Sequence, residues 1–218
     1  MLKTFKERYS IFTADPIFRY SSIVAIFALF VSLIVNYYAG TYATEQASNA
    51  VTDIILSNIP VFNVDTVFVY GPFFLIIVVT SLLVVQPKYI PFTLHSLTLF
   101  ILTRALFISL THIGPFPSQT ILDLGTFSSK FIFGGDLFFS GHTGIPFLMA
   151  LVFWKEKWLR LLFVLWSIVF GVTSLLGHLH YTIDVLSAFF ITYTIFHIAE
   201  VVFKKERELF HEGWGLTK

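Results

Sequence analysis

Six stretches of this chain are apolar over lengths that leave few choices of fold. A helix crossing about 30 Å of hydrocarbon needs about 20 mostly apolar residues. Segments 16–38 (PIFRYSSIVAIFALFVSLIVNYY), 66–85 (TVFVYGPFFLIIVVTSLLVV) and 90–110 (IPFTLHSLTLFILTRALFISL) meet that length. So do 159–177 (LRLLFVLWSIVFGVTSLLG) and 182–203 (TIDVLSAFFITYTIFHIAEVVF). Segment 142–154 (HTGIPFLMALVFW) is shorter, about 20 Å as a helix. It either extends back through LFFS or starts below the membrane surface. The expected fold is an all-α integral membrane protein, a six-transmembrane-helix bundle. Composition agrees: 56% of the 218 residues are hydrophobic and 12% charged, about half the charge of soluble domains.

Twelve of the 14 basic residues fall at the two ends or in alternate connections: Lys3, Lys6, Arg8, Arg19, Lys88, Lys155, Lys157, Arg160, Lys204, Lys205, Arg207 and Lys218. The other connections hold Lys130 alone, which orients both termini to the cytoplasm. Segment 1–15 alternates basic and apolar residues and reads as an interfacial helix. Residues 16–203 are expected to form the six-span membrane domain, and 204–218 a cytoplasmic tail. The first apolar stretch is long for a signal peptide, so cleavage near TYA (41–43) is disfavoured. The polar connection 39–65 is expected to hold a short outer helix around 44–57. The net charge of +1 and the lack of a dense basic block argue against nucleic acid as a partner. With no cysteine, disulfides, zinc–thiolate sites and a thiol nucleophile are excluded.

Ionisable groups inside such a chain are expensive, and each is a functional candidate. Arg104 lies about 9 Å inside the third span at helical rise, within reach of the headgroups by snorkelling. In HLHYTIDV (178–185), His180 and Asp184 are four apart. A helix beginning at or just before His180 would put both on one face. The carboxylate would then orient the imidazole and stabilise its cationic form, preparing a nucleophilic or basic ring nitrogen. The bland alternative is a structural pair closing a helix start.

In GGDLFFSGHTG (134–144), Ser140, Gly141, His142 and Thr143 open the short fourth span. Unpaired N–H groups at a helix start suit an anion, and His142 there can protonate a leaving oxygen. A recessed start would hold a lipid's phosphate while its tails stay in the bilayer. Read blandly, Ser140 is an N-cap and His142 an interfacial side chain. Asp136 either binds a cationic headgroup such as choline or caps a turn. His95, His112, His197 and Glu200 read as packed or interfacial, and HLH is too thin a pattern for a metal site. A transporter relay would need ionisable groups reaching the cytoplasmic half, and spans two and five supply none.

SGHT together with HYTIDV resembles the signature motifs of the type 2 phosphatidic acid phosphatase superfamily, and within it the sphingomyelin synthase-like branch. GGD is similar to that branch's Cys-Gly-Asp, and Arg104 followed by Thr111 and Pro115 resembles a third motif. The resemblance covers roughly residues 50–203. It implies that His180 attacks phosphorus, that Asp184 orients it, and that His142 protonates the leaving alcohol. A phosphohistidine intermediate and no metal or other cofactor are implied. Arg104, Asp136, Ser140, Gly141, Thr143 and Tyr181 are the implied substrate-binding residues. The sequence differs from superfamily members in having Ser174 where an arginine precedes the nucleophile by six residues, and from synthases in Leu179. The expected activity is a phospholipid headgroup phosphotransferase or phospholipase C on the non-cytoplasmic face; the alternative is a lipid-phosphate monoesterase. The partners are a phospholipid, with ceramide or another lipid alcohol as acceptor, and membrane lipids; a homo-oligomer is left open. The expected membrane is a bacterial inner membrane or a eukaryotic endomembrane.

Overall fold

Asp15 opens the longest helix of the chain. Its carboxylate accepts the N–H of Ile17 at 2.8 Å and of Phe18 at 3.5 Å. Pro16 takes the first helical position, where its missing donor costs nothing. The computed structural model describes residues 5–120 and 135–212. Its helices are α1 (Phe5–Ala14), α2 (Pro16–Glu45), α3 (Gly71–Val85, led by a π turn at Thr66–Tyr70) and α4 (Ile90–Leu110). They continue as α5 (Gly141–Val152), α6 (Lys157–Leu176), α7 (Thr182–Val202) and α8 (Lys204–Glu212). The described residues contain no strand.

By length and composition, five of the helical segments can cross a membrane: Pro16–Glu45, Thr66–Val85, Pro87–Leu110, Lys157–Leu176 and Thr182–Val202. The fourth of the six expected spans is α5, only 12 residues long, or about 18 Å. As a helix it is too short to cross about 30 Å of hydrocarbon. The count by length is therefore five, with one short apolar helix. Leu148, Met149, Ala150 and Val152 of α5 are fully buried, and the helix packs against α4, α6 and α7. Gly144 makes the approach to α4 close: a Cβ there would lie 2.6 Å from the Phe100 ring.

Helix α2 packs on α4 through small side chains. Ser21, Ser22, Ala25, Ser32, Ala39, Gly40 and Ala43 are buried, whereas Phe27, Phe30 and Ile34 are exposed. Small residues at an interhelical seam with large apolar ones facing outward suit packing in lipid.

The two terminal helices meet at one end of the bundle. Phe12, Phe18 and Leu209 pack together, and Ser21 Oγ donates to Glu206 Oε1 at 2.8 Å. The start of α7 is at the opposite end, about 30 Å away along its 21 residues. There the connections tie to one another. Ser48 N–H donates to the His112 carbonyl at 2.8 Å, Phe62 N–H to Leu176 at 2.9 Å and Thr120 N–H to Gly177 at 3.0 Å. This corrects the expected outer helix at 44–57. Helix α2 runs on to Glu45, the chain is then irregular, and a turn forms near 54–57. Backbone groups that a helix would pair internally are paired here between connections.

Candidate active site

The turn into α7 is built by its own side chains. His178 has φ 53°, a left-handed conformation uncommon outside glycine. Tyr181 is extended (φ −69°, ψ 155°). Asp184 then reaches back, its Oδ2 accepting the Tyr181 N–H at 2.9 Å. That bond places the helix boundary after Tyr181, so α7 begins at Thr182 and His180 precedes it. The sixth span therefore starts at Thr182, as expected from the sequence, with His180 at its entrance rather than on the helix face. The pair forms nonetheless: His180 Nδ1 lies 3.5 Å from Asp184 Oδ2, with both side chains buried. This is ion-pair distance and too long for a good hydrogen bond. His180 Nδ1 and Asp184 Oδ1 have no hydrogen-bond partner.

The SGHT segment is bonded directly to this turn. The Ser140 N–H donates to the Asp184 carbonyl at 3.1 Å. Ser140 caps α5, its Oγ accepting from the Thr143 N–H at 3.4 Å and from Thr143 Oγ1 at 3.3 Å. Ser167 on α6 donates to the Thr143 carbonyl at 2.7 Å. Ser140 and Thr143 are thus buried and occupied in holding α5, and the N–H groups of Gly141 and His142 remain at the helix start. The His142 ring stacks on Phe68 at 3.8 Å, and its Nε2 is 3.2 Å from the Phe68 carbonyl. A carbonyl only accepts, so Nε2 carries hydrogen and Nδ1 is the nitrogen free to exchange a proton. Pro146 lacks the N–H that would otherwise bond the His142 carbonyl.

Arg104 joins α4 to the approach of α5. Its Nε donates to the Phe139 carbonyl at 2.9 Å. Its Nη2 donates to the Asp136 carbonyl and, at 3.0 Å, to Asp136 Oδ2. Among the described residues Nη1 has no hydrogen-bond partner. Gly141 lets this guanidinium pass the helix start, since a Cβ there would lie 3.2 Å from Arg104 Nε. Arg104, Asp136, Gly141 and His142 line a cavity of about 240 Å³ whose other walls include Leu33, Leu75, Phe100 and Phe170. His180 is not on that wall, but it and Arg104 are both close enough to act electrostatically on His142.

The remaining candidates fall elsewhere. Tyr181 is buried, its hydroxyl donating to the Gly114 carbonyl at 2.8 Å and accepting the Val51 N–H at 3.1 Å. His95 stacks on Phe203 at 4.4 Å. His112 sits edge-on to Tyr42, and His197 pairs with Glu200 at 3.0 Å. Lys130 and Gly134 lie outside the described residues. Among the described residues no group of three or more His, Cys, Asp or Glu is arranged to hold a metal ion.

Two contributors were not foreseen from sequence. Phe68, which stacks on His142, has no mark within an apolar run. Asp53, one acid within the polar connection 39–65, reaches Thr182, 129 positions away.

Residues 134–201 match the family model of the PAP2 superfamily C-terminal domain. The matched segment begins just before Asp136 and contains both SGHT and HYTIDV. The match supports membership of the PAP2 superfamily and does not distinguish its branches. No curated protein and no solved structure matches the chain.

Proposed function

We propose that this protein cleaves phospholipid phosphoester bonds through a phosphohistidine on His180, as a headgroup phosphotransferase or phospholipase C, on the non-cytoplasmic side of its membrane. The observation that carries the reading is the 3.1 Å bond from the Ser140 N–H to the Asp184 carbonyl. It joins the segment bearing His142 to the turn bearing His180 and Asp184. The superfamily match over the same residues supports phosphoesterase chemistry. The orientation rests on the basic-residue asymmetry. It agrees with a fold whose terminal helices meet at the end opposite this site.

In the first step His180 Nε2 attacks phosphorus. A P–N bond forms as the P–O bond to the lipid alcohol breaks, and His142 Nδ1 supplies the proton that the leaving oxygen takes. Asp184 faces Nδ1 of His180 and stabilises the positive charge that builds on the ring. Arg104 and the Gly141 and His142 N–H groups meet charge on the equatorial oxygens. In the second step water or a lipid hydroxyl attacks phosphorus, His142 takes its proton, and the P–N bond breaks.

The apolar walls of the cavity fit a lipid alcohol, and Asp136, already held by Arg104, is placed to meet a cationic headgroup. The test supplies phosphatidylcholine and phosphatidylethanolamine, each with and without ceramide, to purified protein and to His180→Ala, and follows diacylglycerol release. Release that His180→Ala abolishes supports the reading, and equal release by both proteins overturns it. The superfamily match also favours a second reading, a lipid-phosphate monoesterase. Free phosphate from phosphatidic acid, with no product from either diester, would establish it.

A further inference from the structure

At the start of α7 the Asp184 carboxylate accepts the Tyr181 N–H, which leaves the Thr182 N–H of the first turn to another acceptor. A carboxylate from the connection between α2 and α3 takes that place. Asp53 Oδ2 accepts the Thr182 N–H at 2.7 Å, and Asp53 Oδ1 accepts the Thr182 hydroxyl at 2.9 Å. The same carboxylate organises its own turn, with Oδ1 also accepting the Ile55 N–H at 2.9 Å and the Leu56 N–H at 3.1 Å. Four donors thus converge on one buried acid at the positive end of the helix dipole. Nothing else in the bonding of Thr182 fixes the first turn from outside.

From the geometry we infer that Asp53 is a positioning residue for the proposed reaction: it clamps the start of α7 so that His180 and Asp184 stay aligned with SGHT. The inference rests on the reading of His180 as nucleophile. Asp184 follows Thr182 by two residues. Its Oδ2 serves both the Tyr181 N–H and the facing His180 ring. A frayed first turn would release the Tyr181 N–H, turn the carboxylate away from the imidazole, and break the Ser140 link to the Asp184 carbonyl. Misplacement of reacting groups by about 1 Å lowers rates by up to about a hundredfold without touching substrate contacts. The cavity walls named above include no part of the Asp53 turn, so substrate affinity is expected to survive.

The experiment compares wild type, Asp53→Asn, Thr182→Val, the double variant and His180→Ala in turnover of the best phospholipid and in thermal unfolding in detergent. Asp53→Asn keeps the shape but replaces one acceptor by a donor facing the Thr182 N–H. It is expected to lower kcat by about ten- to a hundredfold with KM changed less than about threefold. Thr182→Val keeps the N–H bond and loses only the hydroxyl, so it falls between. The double variant loses both bonds and is expected at or below Asp53→Asn, by less than the product of the two single effects, because both act on one helix start. If Asp53→Asn does not fold, Thr182→Val alone must show the same split. A wild-type kcat in the folded variants, or losses that follow the unfolded fraction, removes the clamp while an inert His180→Ala leaves the site reading standing. An active His180→Ala removes both.

Discussion

The two ends of α7 both carry buried or half-buried ionisable groups, and they differ in how fully those groups are bonded. At the end near α8, His197 and Arg207 both hold Glu200, at 3.0 and 3.1 Å. Arg207 also donates to the Val152 carbonyl at 3.0 Å and lies over the rings of Phe92 and Phe196. Those charges join helices. At the start of α7, His178 Nε2, His180 Nδ1 and Asp184 Oδ1 are buried without partners. An unmet buried polar group costs about 1–3 kcal/mol, so these three set the start of α7 apart from the Glu200 cluster. Arg104 and Arg207 differ in setting: Arg104 borders a cavity, whereas Arg207 is packed over aromatic rings and bonded to Glu200 and the Val152 carbonyl. At the start of α7 buried polar groups keep unmet bonding capacity, and at the other end Glu200 is paired across helices.

The contrast breaks first at the histidines. His180→Ala is expected to lower turnover by about a thousandfold or more, while His197→Ala stays within about twofold of wild type. Comparable losses in a phospholipid assay would erase the distinction between the two ends. Next come the arginines. Arg104→Lys cannot keep both the Phe139 and Asp136 bonds and is expected to cost about a hundredfold in kcat. Arg207→Lys is expected to leave kcat alone and lower the unfolding temperature by a few degrees, equivalent to about 1 kcal/mol.

A smaller effect is expected from Tyr181→Phe, which strands the Gly114 carbonyl and the Val51 N–H. Denaturation in detergent should read about 1–2 kcal/mol of lost stability, with KM unchanged. The smallest effect is acidic. Burial alone would raise the Asp53 carboxyl, but hydrogen bonds from Thr182 and from the Leu56 and Ile55 backbone outweigh it and hold the carboxyl below its usual range. A depressed folded-state pKa means the contribution is fully present above about pH 4 and is lost as pH falls through the lower folded value. Acid titration followed by tryptophan fluorescence should show a step below about pH 4 in wild type that Asp53→Asn lacks.

Much of the fold was legible because apolar run length and helix length are set by the same hydrocarbon thickness. The third expected span coincides with α4, and the fifth and sixth fall within two residues of α6 and α7. The brevity of the fourth span was legible for the same reason. The start of the sixth span at Thr182 was legible too. The local geometry of the pair was not, since a spacing of four between His180 and Asp184 suits a helix face and a capped turn alike. Only the reach of the Asp184 carboxylate to the Tyr181 N–H decides between them. Asp53 was hidden for another reason: its donors on α7 are remote in sequence, and a long-range hydrogen bond leaves no local pattern. The resemblance put Tyr181 with the substrate-binding residues, whereas its hydroxyl is committed to Gly114 and Val51.

The most direct test of the central claim is the site of covalent attachment. Protein quenched rapidly during turnover of a headgroup-labelled phospholipid, digested at alkaline pH, and sequenced by mass spectrometry should carry an acid-labile, base-stable phosphoryl adduct on His180. The adduct should be absent from His180→Ala. A protein that turns over lipid with no adduct, or with the adduct on His142 or His178, contradicts the account.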